Sequence, residues 1–237
     1  MMDFNILYED NHILVVVKPH NISVQEDSSK DPDMLTLLKE YLKEKYNKPG
    51  NVYLGLVHRL DRPTGGVMVF AKTSKAASRL SEQMRDGEIE KIYLTVVVGN
   101  VREKIGHLTH YLKKDEKNNV VRVVPQLETG SKKAELMYSV LDEIKDKISL
   151  LKVQLGTGRS HQIRVQLSTI GNPVFGDVKY GGDSIAKGWN LALWAYSLKF
   201  AHPVTKQTMH FISFPNCEDT PWKFFNLEKF IDIKKQS

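Results

Sequence analysis

Residues 58–66 read His58-Arg59-Leu60-Asp61-Arg62-Pro63-Thr64-Gly65-Gly66 and lie between two apolar runs, 52–57 and 67–71. Both runs are short and rich in branched aliphatic residues, which is typical of strands. Pro63 and the glycine pair are breakers, so the stretch between the runs is predicted to be a loop. Its one carboxylate, Asp61, stands between two arginines, whose positive charge favours the ionised form. An ionised carboxylate on a loop between strands can act as a nucleophile or a base.

The same stretch also has a purely structural interpretation. Arginines on either side of an aspartate in a loop commonly form a solvated ion-pair cluster that contributes little to stability. Residues 58–66 alone do not decide between the two interpretations, so the decision depends on the rest of the chain.

Strand patterns outnumber helix patterns along the chain. The strand patterns cover 6–17 (with a turn at its centre), 52–57, 67–71, 91–98, 105–112, 119–125, 133–141, 149–155, 191–200 and 209–214. The helix patterns cover 34–46 after a cap at Asp31 or Asp33, a segment from Thr73 or Ser74 to Gly87, 161–170 after a cap at Ser160, and 221–233.

Most connections between these elements are short enough for antiparallel pairing, and the elements do not alternate as a βαβ series would. The sequence therefore predicts an α+β fold on a mixed, largely antiparallel β-sheet flanked by helices and loops. We expect one domain over residues 1–237.

The composition is that of an ordinary globular protein. Of 237 residues, 41% are hydrophobic and 26% are charged. No apolar run approaches the roughly 20 residues of a membrane helix, and the N-terminus lacks the basic region of a signal peptide. Cys217 is the single cysteine, which excludes an internal disulfide framework and Cys-rich zinc sites. We therefore expect a cytoplasmic protein without a membrane partner.

The net charge of +6 is compatible with a nucleic-acid partner, although many basic proteins bind none. Arginines gather at 59, 62, 159 and 164, within the segments that other features single out. The lysines at 39, 43, 45 and 48 have the pattern of a solvated face. His107 and His110 lack further ligands at matching spacing, so no metal site is predicted.

Several motifs occur in a fixed order along the chain. They are His58-Arg59-Leu60-Asp61 with Thr64-x-Gly66, Lys91-x-Tyr93, Gly158-Arg159-Ser160-His161-Gln162-Ile163-Arg164, Gly171-x-Pro173, Gly176-Asp177 and Tyr180-Gly181, with Lys18-Pro19 before them and His202-Pro203-x-Thr205 after them. Together they resemble the RluA-type family of RNA pseudouridine synthases over nearly the whole chain. The chain departs from the family pattern at His20-Asn21, where a glycine is usual near position 21, and at Gly65, where serine is frequent.

This resemblance implies an enzyme that isomerises uridine to pseudouridine in structured ribosomal or transfer RNA, with base flipping and without a cofactor. It also implies that residues 1–237 form the catalytic domain, and we expect no separate N-terminal RNA-binding domain of the kind that some relatives carry. It implies that Asp61 is the catalytic carboxylate, that Arg164 pairs with that carboxylate, and that Tyr93 lies against the uracil. It also implies that Arg59 fills the gap left by the extruded nucleotide. Further RNA contacts are expected from Arg62, Arg159 and His161, and the protein is expected to be a monomer.

Other hypotheses stay open at this point. A strand tyrosine such as Tyr93 is ordinarily a packing residue, and a helical arginine such as Arg164 ordinarily snorkels to the surface. A catalytically silent RNA-binding or chaperone protein could retain the same scaffold. An aspartate-dependent hydrolase would need a second carboxylate beside Asp61, and the motif provides none.

Overall fold

The computed structural model describes residues 4–27, 29–144, 146–182 and 188–230. Within these ranges the elements follow in the order β1 (Ile6–Glu9), β2 (Ile13–Lys18), α1 (Met34–Lys45), β3 (Gly55–Leu56), β4 (Gly65–Ala71), α2 (Ser74–Arg85), β5 (Glu90–Val98), β6 (Ile105–Asp115), β7 (Val120–Val124), β8 (Lys132–Ile144), β9 (Ile148–Leu155), α3 (Gln162–Thr169), β10 (Leu193–Ala201) and β11 (Thr208–Ile212). The chain forms two compact units, one within Met1–Lys91 and Ala195–Ser213, the other within Ile92–Trp194 and Phe214–Ser237.

The first unit is built on β1, β2, β4 and β10, which neighbour one another in that order. β2 pairs antiparallel with β4, so that Ile13 lies opposite Ala71 and Lys18 opposite Gly66. Alternate residues of these strands pack with Leu80 of α2 in a buried apolar cluster. This pairing brings the end of β2 beside the start of β4, where residues 58–66 emerge.

Side-chain caps fix where the two helices of this unit begin. Asp33 accepts a hydrogen bond from Thr36 N at 3.1 Å, and Thr73 accepts one from Ala76 N at 3.2 Å. These bonds satisfy amide groups that the first helical turn leaves without partners. Both caps were among the alternatives predicted from the sequence.

The second unit is an antiparallel sheet in the order β5-β9-β8-β6-β7. Helix α3 packs on it through Val165, which joins Leu112, Val121 and Ala134 in a buried cluster. This packing fixes the helix that carries Arg164. The predicted fold class, α+β with a mixed and largely antiparallel sheet, is confirmed, whereas the single-domain boundary 1–237 stays a prediction.

Two local predictions around residues 52–66 are wrong. The first strand is limited to Gly55–Leu56, and Gly65 and Gly66 belong to β4 rather than to the loop. Gly66 has φ +120°, and a Cβ atom there would lie 2.3 Å from the carbonyl oxygen of Ala195. Gly66 is therefore required by the close approach of two backbones and not by a turn.

Two helix predictions also need correction. Helix α3 is capped by His161 in the left-handed conformation (φ 52°), without a side-chain cap bond, and not by Ser160. In place of a terminal helix over 221–233, the structure has two short 3-10 turns at Trp222–Phe224 and Leu227–Phe230. Residues 231–233 lie outside the described ranges. None of the helices in those ranges has the length and apolar character needed to cross a membrane.

Candidate active site

The loop before β4 presents Asp61 on a closed turn. The amide N–H of Thr64 donates to the carbonyl of Asp61 at 2.9 Å. Of the two residues between them, Arg62 is exposed and Pro63 is partly exposed. Leu60 is 7% exposed and anchors the loop on the apolar side, while Arg59 is exposed. Asp61 itself is half-buried, which is the setting expected of a carboxylate that must meet a substrate.

Lys18 lies beneath this loop and is fully buried. Its Nζ donates to the carbonyl oxygens of Pro19 at 3.0 Å, Arg62 at 3.0 Å and Thr64 at 2.7 Å. Three acceptors match the three N–H groups of an ammonium. Burial lowers the pKa of Lys18 to about 7, against the opposing effect of the negative charge on Asp61. A cation that titrates near neutral pH therefore fixes the backbone on which Asp61 stands.

Two histidines hold the same loop at other points. The Nε2 atom of His58 accepts a hydrogen bond from Val69 N at 3.1 Å. Burial and the charge of Lys91 lower the pKa of His58 to about 4, so the ring is neutral at pH 7 and can accept. His20 Nδ1 donates to the carbonyl of Pro63 at 2.7 Å. His20, a departure from the family pattern, is thus a direct brace of the candidate catalytic loop.

The hydroxyl of Thr64 is a buried polar group at the end of this loop. Thr64 is 2% exposed, and among the described residues its Oγ1 atom has no hydrogen-bond partner. A buried hydroxyl without a partner is unfavourable and therefore calls for a structural or functional reason. Its position three residues after Asp61 makes it a candidate contact for a substrate.

Arg62 is already engaged by a neighbouring loop. Its guanidinium donates to Asp31 Oδ2 at 2.5 Å, to Ser29 Oγ at 3.0 Å and to the carbonyl of Asn21 at 3.3 Å, and Asp27 lies 3.9 Å away. The Arg62 side chain remains 41% exposed, so these pairs contribute little to stability. An RNA phosphate would have to replace acidic partners here, and the role of Arg62 in RNA binding stays a prediction.

In the second unit, Arg164 is held by Asp177. Nε donates to Oδ2 and Nη2 donates to Oδ1, both at 2.7 Å, and the aspartate is 1% exposed. Oδ1 also accepts from the amides of Lys179 at 2.9 Å and Tyr180 at 3.1 Å. The Arg164 guanidinium carbon lies 5.1 Å from the centre of the Tyr180 ring. Arg164 is therefore a buried, oriented cation and not the surface residue of the structural alternative.

Sequence reasoning singled out Arg164 but gave Asp177 no role. The available signal was Gly176-Asp177, which occurs in the family's order after the Arg164 motif. Gly176 has φ +77°, and a Cβ there would lie 2.4 Å from the carbonyl oxygen of Asn190. The backbone conformation that Gly176 allows thus places the next residue, Asp177, where its carboxylate can orient Arg164.

His161 and Arg159 flank the start of α3 and have structural contacts of their own. His161 Nδ1 and Tyr180 Oη are hydrogen-bonded at 2.5 Å, and that hydroxyl accepts from Val121 N at 2.9 Å. Arg159 is exposed, and its Nε donates to the carbonyl of Lys133 at 3.0 Å. The structure brings His161 together with Arg164 around Tyr180, whereas the predicted RNA contacts of Arg159 and His161 stay untested.

Tyr93 lies in β5 opposite Val153 of β9 and is 8% exposed. Burial of this kind agrees with packing, and a contact with the uracil stays a prediction. Asp61, Arg59 and Arg62 belong to the first unit, and the other predicted site residues belong to the second. Within the described ranges, no three His, Cys, Asp or Glu side chains gather as a metal-binding group.

Comparison with known proteins assigns the family. Residues 12–169, more than half of the chain, match the family model described as RNA pseudouridylate synthase. A human protein named RNA Pseudouridylate Synthase Domain Containing 4 has the same fold, with a TM-score of 0.74 and 23% identity over 90% of this chain and 89% of that one.

Curated bacterial relatives extend the match. The chain is 33% identical to "Ribosomal large subunit pseudouridine synthase C" of Haemophilus influenzae over 216 residues, and 36% identical to the protein of the same name in Haemophilus ducreyi over 220 residues. These alignments cover 89% and 90% of this chain and 65% and 66% of those proteins, so the chain spans slightly less than two thirds of their length. On the strength of the family model, this chain belongs to the RNA pseudouridylate synthase family.

Proposed function

We propose that this protein isomerises specific uridines to pseudouridine in structured RNA, with ribosomal RNA as the first substrate to test and transfer RNA as the second. The observation that carries the proposal is that hydrogen bonds from Lys18 and His20, and one accepted by His58, support the loop of Asp61. A catalytic carboxylate needs such a rigid support, because small misplacements of a reacting group cost large factors in rate. Family membership supplies the reaction class.

The reaction breaks the glycosidic bond between N1 and C1′, rotates the uracil, and forms a bond from C5 to C1′. The C5 proton leaves and N1 gains a proton, so atoms and electrons balance without a redox partner and no cofactor is required. We assign the carboxylate of this sequence to Asp61. Addition to C1′, addition to C6 and removal of the 2′ proton are the three roles open to it.

Arg164 is proposed to keep the Asp61 carboxylate ionised and aimed, as the family resemblance implies. The pair with Asp177 supports this assignment, because it fixes the plane of the guanidinium. Tyr93 is proposed to lie against the uracil and to assist loss of the C5 proton. Arg59, being exposed beside Asp61, is proposed to occupy the space of the extruded nucleotide.

The remaining predicted RNA contacts are Arg62, Arg159 and His161. Arg159 supports a phosphate contact best, because it is exposed and its Nε bond to the Lys133 carbonyl fixes the direction of the side chain. We propose a cytoplasmic enzyme that acts as a monomer on its RNA. RNA affinity should fall steeply with salt if these cations contact phosphates.

The test is a pseudouridine map of cellular RNA from strains with and without the gene, using a chemical label for pseudouridine. The null strain is complemented with wild type, with Asp61→Asn, or with Asp86→Asn, an exposed aspartate outside the candidate site. We expect sites that vanish in the null strain and return with wild type and Asp86→Asn only.

The purified protein provides the second arm of this test. Conversion of an unmodified ribosomal or transfer RNA transcript by wild type, and none by a folded Asp61→Asn variant, would support the proposal. Binding of RNA without conversion of any uridine, in cells or in vitro, would overturn it in favour of the catalytically silent RNA-binding protein.

A further inference from the structure

A basic, aromatic groove lies in the first unit between α1 and the segment 46–53. It consists of two adjoining clefts of about 410 Å³ and 260 Å³ that share Val52 in their walls. Lys39, Glu40 and Lys43 line the larger cleft. The side chains that define the smaller one are Tyr46, Lys48, Tyr53 and Lys72. We call these two clefts the α1 groove; none of the residues named here belongs to the candidate active site.

The larger cleft is lined by lysines that one helical face presents together. Lys39 and Lys43 are one helical turn apart, and the buried residues Leu38 and Leu42 fix the adjacent side of α1 against the core. Glu40 is the acidic residue of this cleft, so its walls carry a net positive charge. These lysines follow the pattern of a solvated face in the sequence, and the structure instead places them along a concave surface.

The smaller cleft adds two aromatic faces. Tyr46 is 46% exposed and Tyr53 is 51% exposed, an unusual amount for side chains of this size. The hydroxyl of Tyr53 lies against Gly55, where an added Cβ would approach it to 2.8 Å. The hydroxyl end of Tyr53 thus lies close to the Gly55 backbone, while about half of the residue's surface remains open.

Tyr46 is fixed by a buried carboxylate. Its hydroxyl donates to Glu9 at 2.6 Å, and the same carboxylate accepts from Lys45 and Lys72, both at 2.7 Å. Burial raises the pKa of Glu9, but the hydrogen bonds from Lys45, Lys72 and Tyr46 outweigh it and lower that pKa to about 2. Lys48 lies 5.6 Å from the centre of the Tyr46 ring. The ring therefore stands in place with cations around it before any ligand arrives.

Lysines along a groove with open tyrosine rings match the chemistry of single-stranded nucleic acid. Ammonium groups meet successive phosphates, and bases stack on aromatic faces without regard to sequence. An acidic peptide would form ion pairs with the lysines but would have no base to stack on the tyrosine rings. The aliphatic side chains of the clefts are Val52 and the almost fully buried Leu42, which together offer too little surface for an apolar partner helix.

We infer that the α1 groove binds an unpaired segment of the RNA substrate, with phosphates at Lys39, Lys43 and Lys48 and a base on Tyr53. The identity of that RNA as substrate rests on the proposed function. The groove would then contribute to affinity and to the choice of RNA, apart from the chemistry at Asp61. Binding of an unpaired strand can be measured without any isomerisation.

The test measures binding of a fluorescent 12-nucleotide oligouridylate by anisotropy, over a range of salt concentrations. Lys39→Ala/Lys43→Ala removes two cations, and Tyr53→Ala removes the open ring. Lys117→Ala/Lys147→Ala and Phe224→Ala are the matched controls, since these side chains are exposed and lie outside the groove. Thermal unfolding confirms that each variant is folded.

At 0.1 M salt we expect the double lysine variant to bind about tenfold more weakly than wild type. Its slope of log affinity against log salt should be shallower by about 1.4, since each single-strand phosphate contact contributes about 0.7. Tyr53→Ala should weaken binding about fivefold or more through loss of stacking. The controls should stay within about twofold of wild type, as expected of surface residues that do not contact the strand.

Wild-type affinity and salt slope in Lys39→Ala/Lys43→Ala would overturn the inference, as would displacement of the oligouridylate by polyglutamate at equal charge concentration. Either result leaves the proposed function standing if wild type still converts uridine in a ribosomal transcript. Failure of that conversion, with the groove variants still weakened in binding, would overturn the proposed function and leave the groove as an RNA site.

Discussion

Arg164 and Asp177 form a two-point ion pair in which Nε meets Oδ2 and Nη2 meets Oδ1, each at 2.7 Å. Both side chains are buried, at 6% and 0% exposure. Removing one partner of such a pair strands the other charge away from water, which costs far more than an exposed ion pair is worth. Arg164 therefore depends on Asp177 for its orientation.

Asp177→Asn tests this dependence. The asparagine retains an oxygen for the amides of Lys179 and Tyr180 but loses the negative charge, so we expect a loss of about 3–5 kcal/mol in the free energy of unfolding. In the variant that stays folded at low temperature, kcat should fall more than KM rises. Chemical denaturation and single-turnover kinetics measure the two effects.

The double variant Arg164→Met/Asp177→Asn is the control for that experiment. Because the two residues share one interaction, their separate losses of stability should not add, and the double variant should be more stable than the sum predicts. Additive losses would show that Asp177 and Arg164 act independently.

Lys18→Met should loosen the loop of Asp61. The carbonyls of Pro19, Arg62 and Thr64 would lose their shared donor, so we expect faster hydrogen exchange at the Thr64 amide and a lower kcat. Lys75→Met, at an exposed lysine of α2, is a control in the same unit that leaves the loop intact. Unchanged exchange and unchanged kcat in Lys18→Met would exclude Lys18 as a positioning residue.

The low pKa of Lys18 has a consequence for stability that can be measured separately. The folded group loses its proton near pH 7, while the unfolded one keeps it until its ordinary value near 10.5. Between these values the unfolded chain binds more protons, so stability should rise with pH. Wild type should therefore gain stability relative to Lys18→Met from pH 7 to pH 10. A constant difference over that range would contradict the assignment.

The low pKa of His58 predicts that the folded protein loses stability as the pH falls below 6.5. Its pKa is about 4 in the folded chain and near 6.5 in the unfolded one, so the unfolded chain takes up the proton first as the pH falls. The stabilising contribution of the neutral ring is complete above pH 6.5 and is lost progressively down to pH 4, by about 3 kcal/mol at most. His58→Gln, which can still accept from Val69, should show a flatter profile in urea titrations.

Thr64→Val tests whether the buried hydroxyl of Thr64 has a structural role or contacts the substrate. The substitution keeps the shape and removes a group that lacks a partner among the described residues, so the protein should gain about 1 kcal/mol of stability or stay unchanged. If the hydroxyl contacts the substrate, turnover should fall at the same time. Full turnover would make Thr64 a packing residue, and loss of stability would reveal a hydrogen bond to a water molecule.

Local sequence patterns were sufficient to predict the helix caps and the approximate positions of most strands. Asp33 and Thr73 precede amphipathic segments and do cap α1 and α2. Alternating apolar residues predicted the strands to within a few positions. The strand expected over 52–57 is shorter because only Gly55 and Leu56 pair with β4, a pairing that no pattern within the segment could show.

The supports of the site could not be read from the sequence because they join distant segments. Lys18 follows the strand pattern predicted over 6–17 and has the sequence context of a surface lysine, yet two of its acceptors come from residues 62 and 64. The cap of α3 shows a related limit: Ser160 has the better capping chemistry, but His161 is drawn into the left-handed conformation beside Tyr180. The family motifs nevertheless singled out the segments in which the structure places these contacts.

Gly66 determines how much this segment can vary. The α-hydrogen that a side chain would replace faces the backbone of Ala195 so closely that an added Cβ atom would overlap the carbonyl oxygen. In a library with all amino acids at every position, selected for folding alone, we therefore expect residue 66 to tolerate none of the nineteen substitutions, whereas the exposed Arg62 should accept many. The tolerance profile of the segment would then trace where β10 runs directly beside β4.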